Sequence, residues 1–297
     1  MKILVYETST RIKMEYLDYL SNLWHQLIDQ ENESYDSQTI DALIVYKNSV
    51  DKTLLDGFPH LKMVMKVGVG LEKIDCIECE KRKIKVLNTP GSNSDAVADM
   101  ALRWTLTLQR NSLKWIKGIF EAQNAVSYHQ LGTDIKDCTI AFIWFGHIGK
   151  KIYNRLLWCG CQQFSVYDPH IQSAPQEYQV KLVNDMVELD HISDIIYLAL
   201  PLTTETSNMI NARFLANCKS TVTIINTSRG GIVNEQDLYD FLLAHPQAKY
   251  YADVRSDEPL ITSSIQRLMT LDNFLLTPHM AALTTQAMQS MHHFALE

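Results

Sequence analysis

From Lys2 to Leu276, short apolar runs alternate with helix-length stretches, and that rhythm restricts the chain to a parallel α/β fold. Lys2–Tyr6, Ala42–Tyr46, Met63–Val67 and Lys85–Leu87 form a first set of predicted strands. Thr139–Ile143, Gln163–Tyr167, Asp194–Leu200, Thr221–Asn226, Tyr250–Val254 and Asn273–Leu276 form a second. Two sets imply two doubly wound, Rossmann-like parallel-sheet domains with a cleft between them, and a length of 297 residues suits two domains. The turn-rich stretch Asn88–Asn93 marks the join, followed by a long apolar helix, Ala96–Arg110, with Ser94 or Asp95 as its cap. The predicted division is residues 1–95 plus 284–297 in one domain and 96–283 in the other.

The N-terminal run meets an acidic Glu7 too soon to be a signal peptide, and no apolar run approaches the roughly 18 residues that span a bilayer. A net charge of −7 without a long basic cluster argues against nucleic acid as a partner. Six cysteines without a leader fit a reducing cytoplasm, which is the expected location. Cys76-Ile77-Glu78-Cys79 lies in a helical segment, Glu72–Arg82, without a second ligand pair at zinc spacing. Buried or half-buried helix positions are expected for the pair, and no metal.

The strand Thr139–Ile143 runs into Trp144-Phe145-Gly146-His147-Ile148-Gly149, a helix follows, and the next strand ends at Asp168. Strand, glycine turn, helix, strand and acid make the context of a dinucleotide fingerprint. Gly146, His147, Ile148 and Gly149 are the predicted pyrophosphate turn at a helix N-terminus. Asp168 is the predicted acceptor for the ribose hydroxyls, which favours NAD over NADP. Trp144 stands where the fingerprint carries its first glycine, and an indole there shifts the turn or crowds the nucleotide. Taken alone, the G-x-x-G also fits any strand–turn–helix of an α/β protein.

Three later strands end in polar groups: Asn226-Thr227-Ser228-Arg229-Gly230-Gly231, then Asp253 with Glu258-Pro259, then Thr277-Pro278-His279. In an open parallel sheet the carboxyl ends of the strands gather at the ligand crevice. An Arg, a carboxylate and a His therefore converge there. Singly, each also reads as a salt-bridge partner, a turn carboxylate or a satisfied histidine. Lys47 follows the strand Ala42–Tyr46 and is either a cleft cation or a solvated loop residue.

Over nearly its whole length the chain resembles the D-isomer-specific 2-hydroxyacid dehydrogenase family. The likeness rests on Val67-Gly68-Val69-Gly70 with Ile74-Asp75, Asn88-Thr89-Pro90-Gly91, Gly146–Gly149, Pro201-Leu202-Thr203 and the three polar strand ends. It implies an NAD-dependent oxidoreductase of the phosphoglycerate dehydrogenase or hydroxypyruvate/glyoxylate reductase type, acting on a small 2-hydroxy or 2-keto acid. It implies a substrate-binding, flavodoxin-like domain in 1–95 plus 284–297 and a dinucleotide-binding domain in 96–283. His279 is then the general acid and base, Glu258 its hydrogen-bond partner favouring the imidazolium, and Arg229 the cation for the substrate. Backbone N–H groups of Val69 and Gly70, with Lys47, bind substrate; Asp253 orients the nicotinamide amide, and Thr227 adds to the cofactor site. The helix Ala96–Arg110 and the segment Trp115–His129 are expected to bury against a second subunit, giving a homodimer. The rival reading, carried by Trp144, is a non-catalytic nucleotide-sensing or interaction homologue.

Overall fold

The computed structural model describes residues 1–6, 26–29, 34–120 and 131–296. The chain divides into two compact units, Met1–Asn93 with Ala282–Glu297, and Ser94–Ala281. The first holds a sheet of β1 (Lys2–Val5), β2 (Gln26–Asp29), β3 (Ala42–Val45), β4 (Met63–Lys66) and β5 (Lys85–Leu87) in the order β2-β1-β3-β4-β5. The second holds β6 (Thr139–Ile143), β7 (Gln163–Tyr167), β8 (Lys181–Leu182), β9 (Ile195–Leu198), β10 (Thr223–Asn226), β11 (Lys249–Ala252) and β12 (Phe274–Leu276). Their order is β12-β11-β10-β9-β6-β7-β8, and every pairing in both sheets is parallel.

Parallel sheets need cover on both faces, and the strand sequences provide it. In the second unit Ile140, Phe142, Ile195 and Tyr197 enter one buried cluster, and their neighbours Ala141, Ile143, Ile196 and Leu198 enter another. That is the two-residue period of a strand written in apolar side chains on both sides. In the first unit Leu4, Leu43 and Val64 face one cluster. Ile3, Val5, Ile44 and Met65 face the other, where Met288 and Met291 of the helix Thr285–Leu296 cover them.

Three local expectations are corrected. β2 and β8 are strands that the sequence pattern did not mark; β2 is a four-residue edge strand and β8 has only two residues. The long helix runs Ser94–Gln109, so neither proposed cap stands outside it. The buried Ser94 hydroxyl has no hydrogen-bond partner among the described residues, and Asp95 turns instead to Lys151 at 2.9 Å and Arg155 at 3.1 Å. Cys76 and Cys79 do share a helix, Cys76–Lys81, but Cys76 is exposed and only Cys79 enters the core. Nothing in the described residues forms a helix long and apolar enough to cross a membrane. Of the apolar segment Trp115–His129, residues 121–129 lie outside the described residues.

Candidate active site

In the second unit β6 is the topological switch: the chain proceeds from it to β7 and β8 on one side and to β9–β12 on the other. The crevice beyond the carboxyl ends of the strands opens at such a point. β6 ends at Ile143 and turns through Trp144 and Phe145 to Gly146, the N-cap of the helix His147–Trp158. Trp144 has φ +70°. Glycine takes that left-handed conformation freely, whereas a residue with a Cβ loses about 1–2 kcal/mol there. The first glycine of the fingerprint is thus missing at a position whose backbone still asks for one.

Neighbouring contacts hold the turn in place. The Trp144 N–H donates to the Tyr167 carbonyl at 2.7 Å, and the Phe145 N–H donates to the Asp168 carboxylate at 3.0 Å. The other Asp168 oxygen accepts from the His170 N–H at 3.0 Å. A carboxylate offers about four acceptor positions, so two remain for a ligand hydroxyl. A Cβ on Gly149 would stand 3.1 Å from the Trp144 carbonyl, so glycine there lets the helix lie close on the turn. A Cβ on Gly146 would meet nothing within 4 Å, and no side chain caps the helix. His147 is exposed and Ile148 half-buried. The free N–H groups of a helix start favour an anion, and an acid stands at the end of the next strand; this donor set fits the diphosphate and ribose of a dinucleotide.

The polar residues ending β10, β11 and β12 lie on three adjacent loops. Asn226, fully buried, ties the first loop: its amide donates to the Arg229 carbonyl at 3.1 Å and to the Tyr250 hydroxyl at 3.0 Å. Its carbonyl oxygen accepts from the Ser228 N–H at 3.0 Å and hydroxyl at 2.8 Å. Thr227 is buried beside them, and the half-buried Arg229 guanidinium donates to the Ser228 carbonyl at 2.6 Å. A Cβ on Gly230 would lie 2.0 Å from the Arg255 carbonyl carbon. Only glycine lets the Arg229 loop abut the loop that carries Glu258.

Glu258 and His279 join the second loop to the third. His279 Nδ1 lies 2.6 Å from Glu258 Oε2, and Glu258 Oε1 accepts from the Arg255 N–H at 3.0 Å. Burial pushes the Glu258 carboxyl up, but the His279 hydrogen bond and charge, with Arg255, outweigh it and hold the group below its ordinary value. The His279 side chain remains 49% exposed, and its backbone has φ +55°. A strained, accessible histidine on a half-buried carboxylate is a feature that clusters at functional sites. Asp253, only 1% exposed, braces the third loop: its oxygens accept from the N–H groups of Met280 at 2.9 Å and Ala281 at 2.7 Å, and from the Thr277 hydroxyl.

The remaining predicted residues belong to the first unit. Gly68 has φ +118°, and its N–H donates to the buried Thr89 hydroxyl at 2.9 Å, while the Asn88 amide donates to the Val69 carbonyl at 2.7 Å. Val69 is exposed and Gly70 half-buried, and neither N–H has a partner among the described residues. Lys47 is exposed, its ammonium 5.6 Å from the Tyr46 ring centroid. Sequence reasoning passed over Lys66, which donates to the Val67 carbonyl at 2.9 Å and would meet a Gly68 Cβ at 3.4 Å. A charged residue closing an apolar strand just before a glycine turn was the available signal. It likewise gave no role to Asn226, the organiser of the Arg229 loop.

Residues 104–281 match the family model of the D-isomer specific 2-hydroxyacid dehydrogenase NAD binding domain. The chain is 32% identical over 255 residues to the hydroxypyruvate reductase of Thermotoga maritima, covering 84% of this chain and 80% of that protein. It is 32% identical over 259 residues to the glyoxylate reductase of Thermococcus litoralis, covering 85% and 77%. Its fold matches the D-lactate dehydrogenase of Aquifex aeolicus complexed with NAD and lactic acid, with a TM-score of 0.85, 23% identity and coverage of 100% and 93%. The chain is therefore a member of the D-isomer specific 2-hydroxyacid dehydrogenase family, an NAD-dependent dehydrogenase whose NAD-binding domain occupies residues 104–281.

Proposed function

We propose that this dehydrogenase reduces a small 2-keto acid, of the hydroxypyruvate or glyoxylate kind, to the D-2-hydroxy acid, and runs the reverse oxidation. The observation that carries the reading is the 2.6 Å contact of His279 Nδ1 with Glu258 Oε2 on adjacent strand-end loops. Bound NAD(H) supplies or accepts the hydride. Gly146, His147, Ile148 and Gly149 hold its diphosphate, Asp168 its adenosine ribose, and Thr227 and Asp253 the nicotinamide side.

Arg229 pairs with the substrate carboxylate and polarises the keto oxygen through its planar fork. His279, held by Glu258 through Nδ1, gives the Nε2 proton to that oxygen as the alkoxide forms and takes it back in the oxidation. Glu258 is held below its ordinary carboxylate value, so it stays ionised and orients the ring through Nδ1. In the first unit, the N–H groups of Val69 and Gly70 bind the substrate carboxylate, with Lys47 reserved for a distal anionic group. This assigns substrate binding to residues 1–95 plus 284–297 and the dinucleotide to 96–283.

A homodimer is part of the proposal. The helices Ser94–Gln109 and Ser112–Phe120 expose Leu106, Leu113 and Ile116, the last at 49%. Such side chains suit an interface better than water.

The test is NADH binding followed by NADH oxidation with hydroxypyruvate, glyoxylate and 3-phosphohydroxypyruvate in turn. Turnover of any of them supports the reading. Absence of NADH binding would favour the alternative that Trp144 suggests, a non-catalytic nucleotide-sensing or interaction homologue with an impaired cofactor site.

A further inference from the structure

Trp144 is the feature that the proposed chemistry leaves unused. Its left-handed backbone is one that glycine would adopt without strain, so the indole is retained against a conformational penalty. A residue strained in this way persists only where its surroundings hold it, and such residues cluster at ligand sites. The indole is half-buried and packs at the edge of the cluster that contains Ile143 and Leu198, at the switch point of the sheet. Two rings meet it, Tyr167 with centroids 5.8 Å apart and His170 with centroids 6.1 Å apart. Their planes are inclined to it by 76° and 64°, so neither lies flat on the indole.

These rings bracket Asp168 in sequence, and the backbone N–H groups of Phe145 and His170 both donate to its carboxylate. Carboxylate and indole thus stand on two adjacent strand-end loops, which the Phe145–Asp168 and Trp144–Tyr167 hydrogen bonds tie together. A ribose held by the acid carries a base with an apolar π-face within reach of that wall. Stacking accepts any base, so it strengthens binding without reading the edge of the ring.

We propose that Trp144 is a cofactor-positioning residue that binds the adenosine half of NAD by stacking, in place of the close backbone approach that a first glycine provides. The proposal rests on the assignment of Asp168 to the adenosine ribose. It makes Trp144 a contributor to cofactor affinity rather than an obstruction.

The test is calorimetric titration of the wild type, Trp144→Leu, Trp144→Phe and Trp144→Gly with three probes. NADH carries both halves of the cofactor, ADP-ribose only the adenosine half, and reduced nicotinamide mononucleotide only the nicotinamide half. The Leu and Gly variants are expected to bind NADH and ADP-ribose at least about fivefold more weakly. The Phe variant, which keeps a ring, is expected to stay within about threefold of the wild type. The mononucleotide is expected to bind all four proteins alike, which also shows that the variants are folded. Unchanged or tighter binding of NADH and ADP-ribose by the Leu or Gly variant overturns the proposal while leaving NAD binding intact. Failure of the wild type to bind NADH or ADP-ribose overturns both the proposal and the Asp168 assignment beneath it.

Discussion

At the scale of single residues, the proposed chemistry turns on Glu258 and its bond to His279. Because the Glu258 carboxyl is held below its ordinary value of 4.5, the folded state favours the ionised form. Its contribution to stability is then complete above that value and is lost as pH falls through the lower folded value. Glu258→Gln removes the contribution, so the gap in denaturant stability between wild type and variant should narrow as pH falls below 4.5. A gap that widens below pH 4.5 would contradict the lowered value. The types Arg, Glu and His were legible from sequence because they follow apolar strands. The left-handed backbones of His279 and Trp144 were not, since φ is set by how the loops close rather than by residue preference.

At the scale of elements, loops meeting at strand ends make the geometry, and glycine decides whether they can meet. A Cβ at Gly230 would collide with the Arg255 backbone at 2.0 Å, a contact with no flexible side chain to yield. Gly230→Ala should therefore cost about 1–3 kcal/mol or more and lower turnover by separating the Arg229 and Glu258 loops. Thermal melts and steady-state kinetics of this variant check both effects, and normal values in each would show that the loops have slack. The glycine pair was visible in sequence, but its reason is a contact between residues of two different βα units.

The opposite ends of the same strands carry a second pH-sensitive group. Lys249 opens β11, donates to the Leu108 carbonyl at 2.6 Å and lines a small cavity with Lys114 and Asn273. Burial, reinforced by Lys114, pulls its ammonium down from 10.5 to about 8. The unfolded chain holds more protons than the folded one between those values, so stability should rise with pH across that window. Lys249→Met should flatten the rise in urea melts, and an undiminished rise would assign it to another group. The strands themselves were largely readable, because two-sided burial writes them as continuous apolar runs. β2 and β8 escaped because an edge strand of four residues and one of two carry too little pattern.

At the scale of the whole molecule, the alternation of strands and helices was enough to specify two parallel sheets, and the order of motifs was enough to indicate the family. What the pattern could not supply is assembly. If the exposed side chains on Ser94–Gln109 and Ser112–Phe120 cover a second copy, Ile116→Lys should shift a wild-type dimer toward monomer in sedimentation velocity at micromolar concentration. A wild-type monomer would contradict the homodimer outright. In the proposed chemistry His279 moves the proton while other residues hold the cofactor. Its most direct test is His279→Ala, measured for NADH affinity and for single-turnover reduction of whichever 2-keto acid the wild type uses best. The chemical step should fall by about 10²–10⁴-fold with NADH affinity nearly unchanged. A variant that reduces its substrate at the wild-type rate, or loses NADH binding in equal measure, would contradict it.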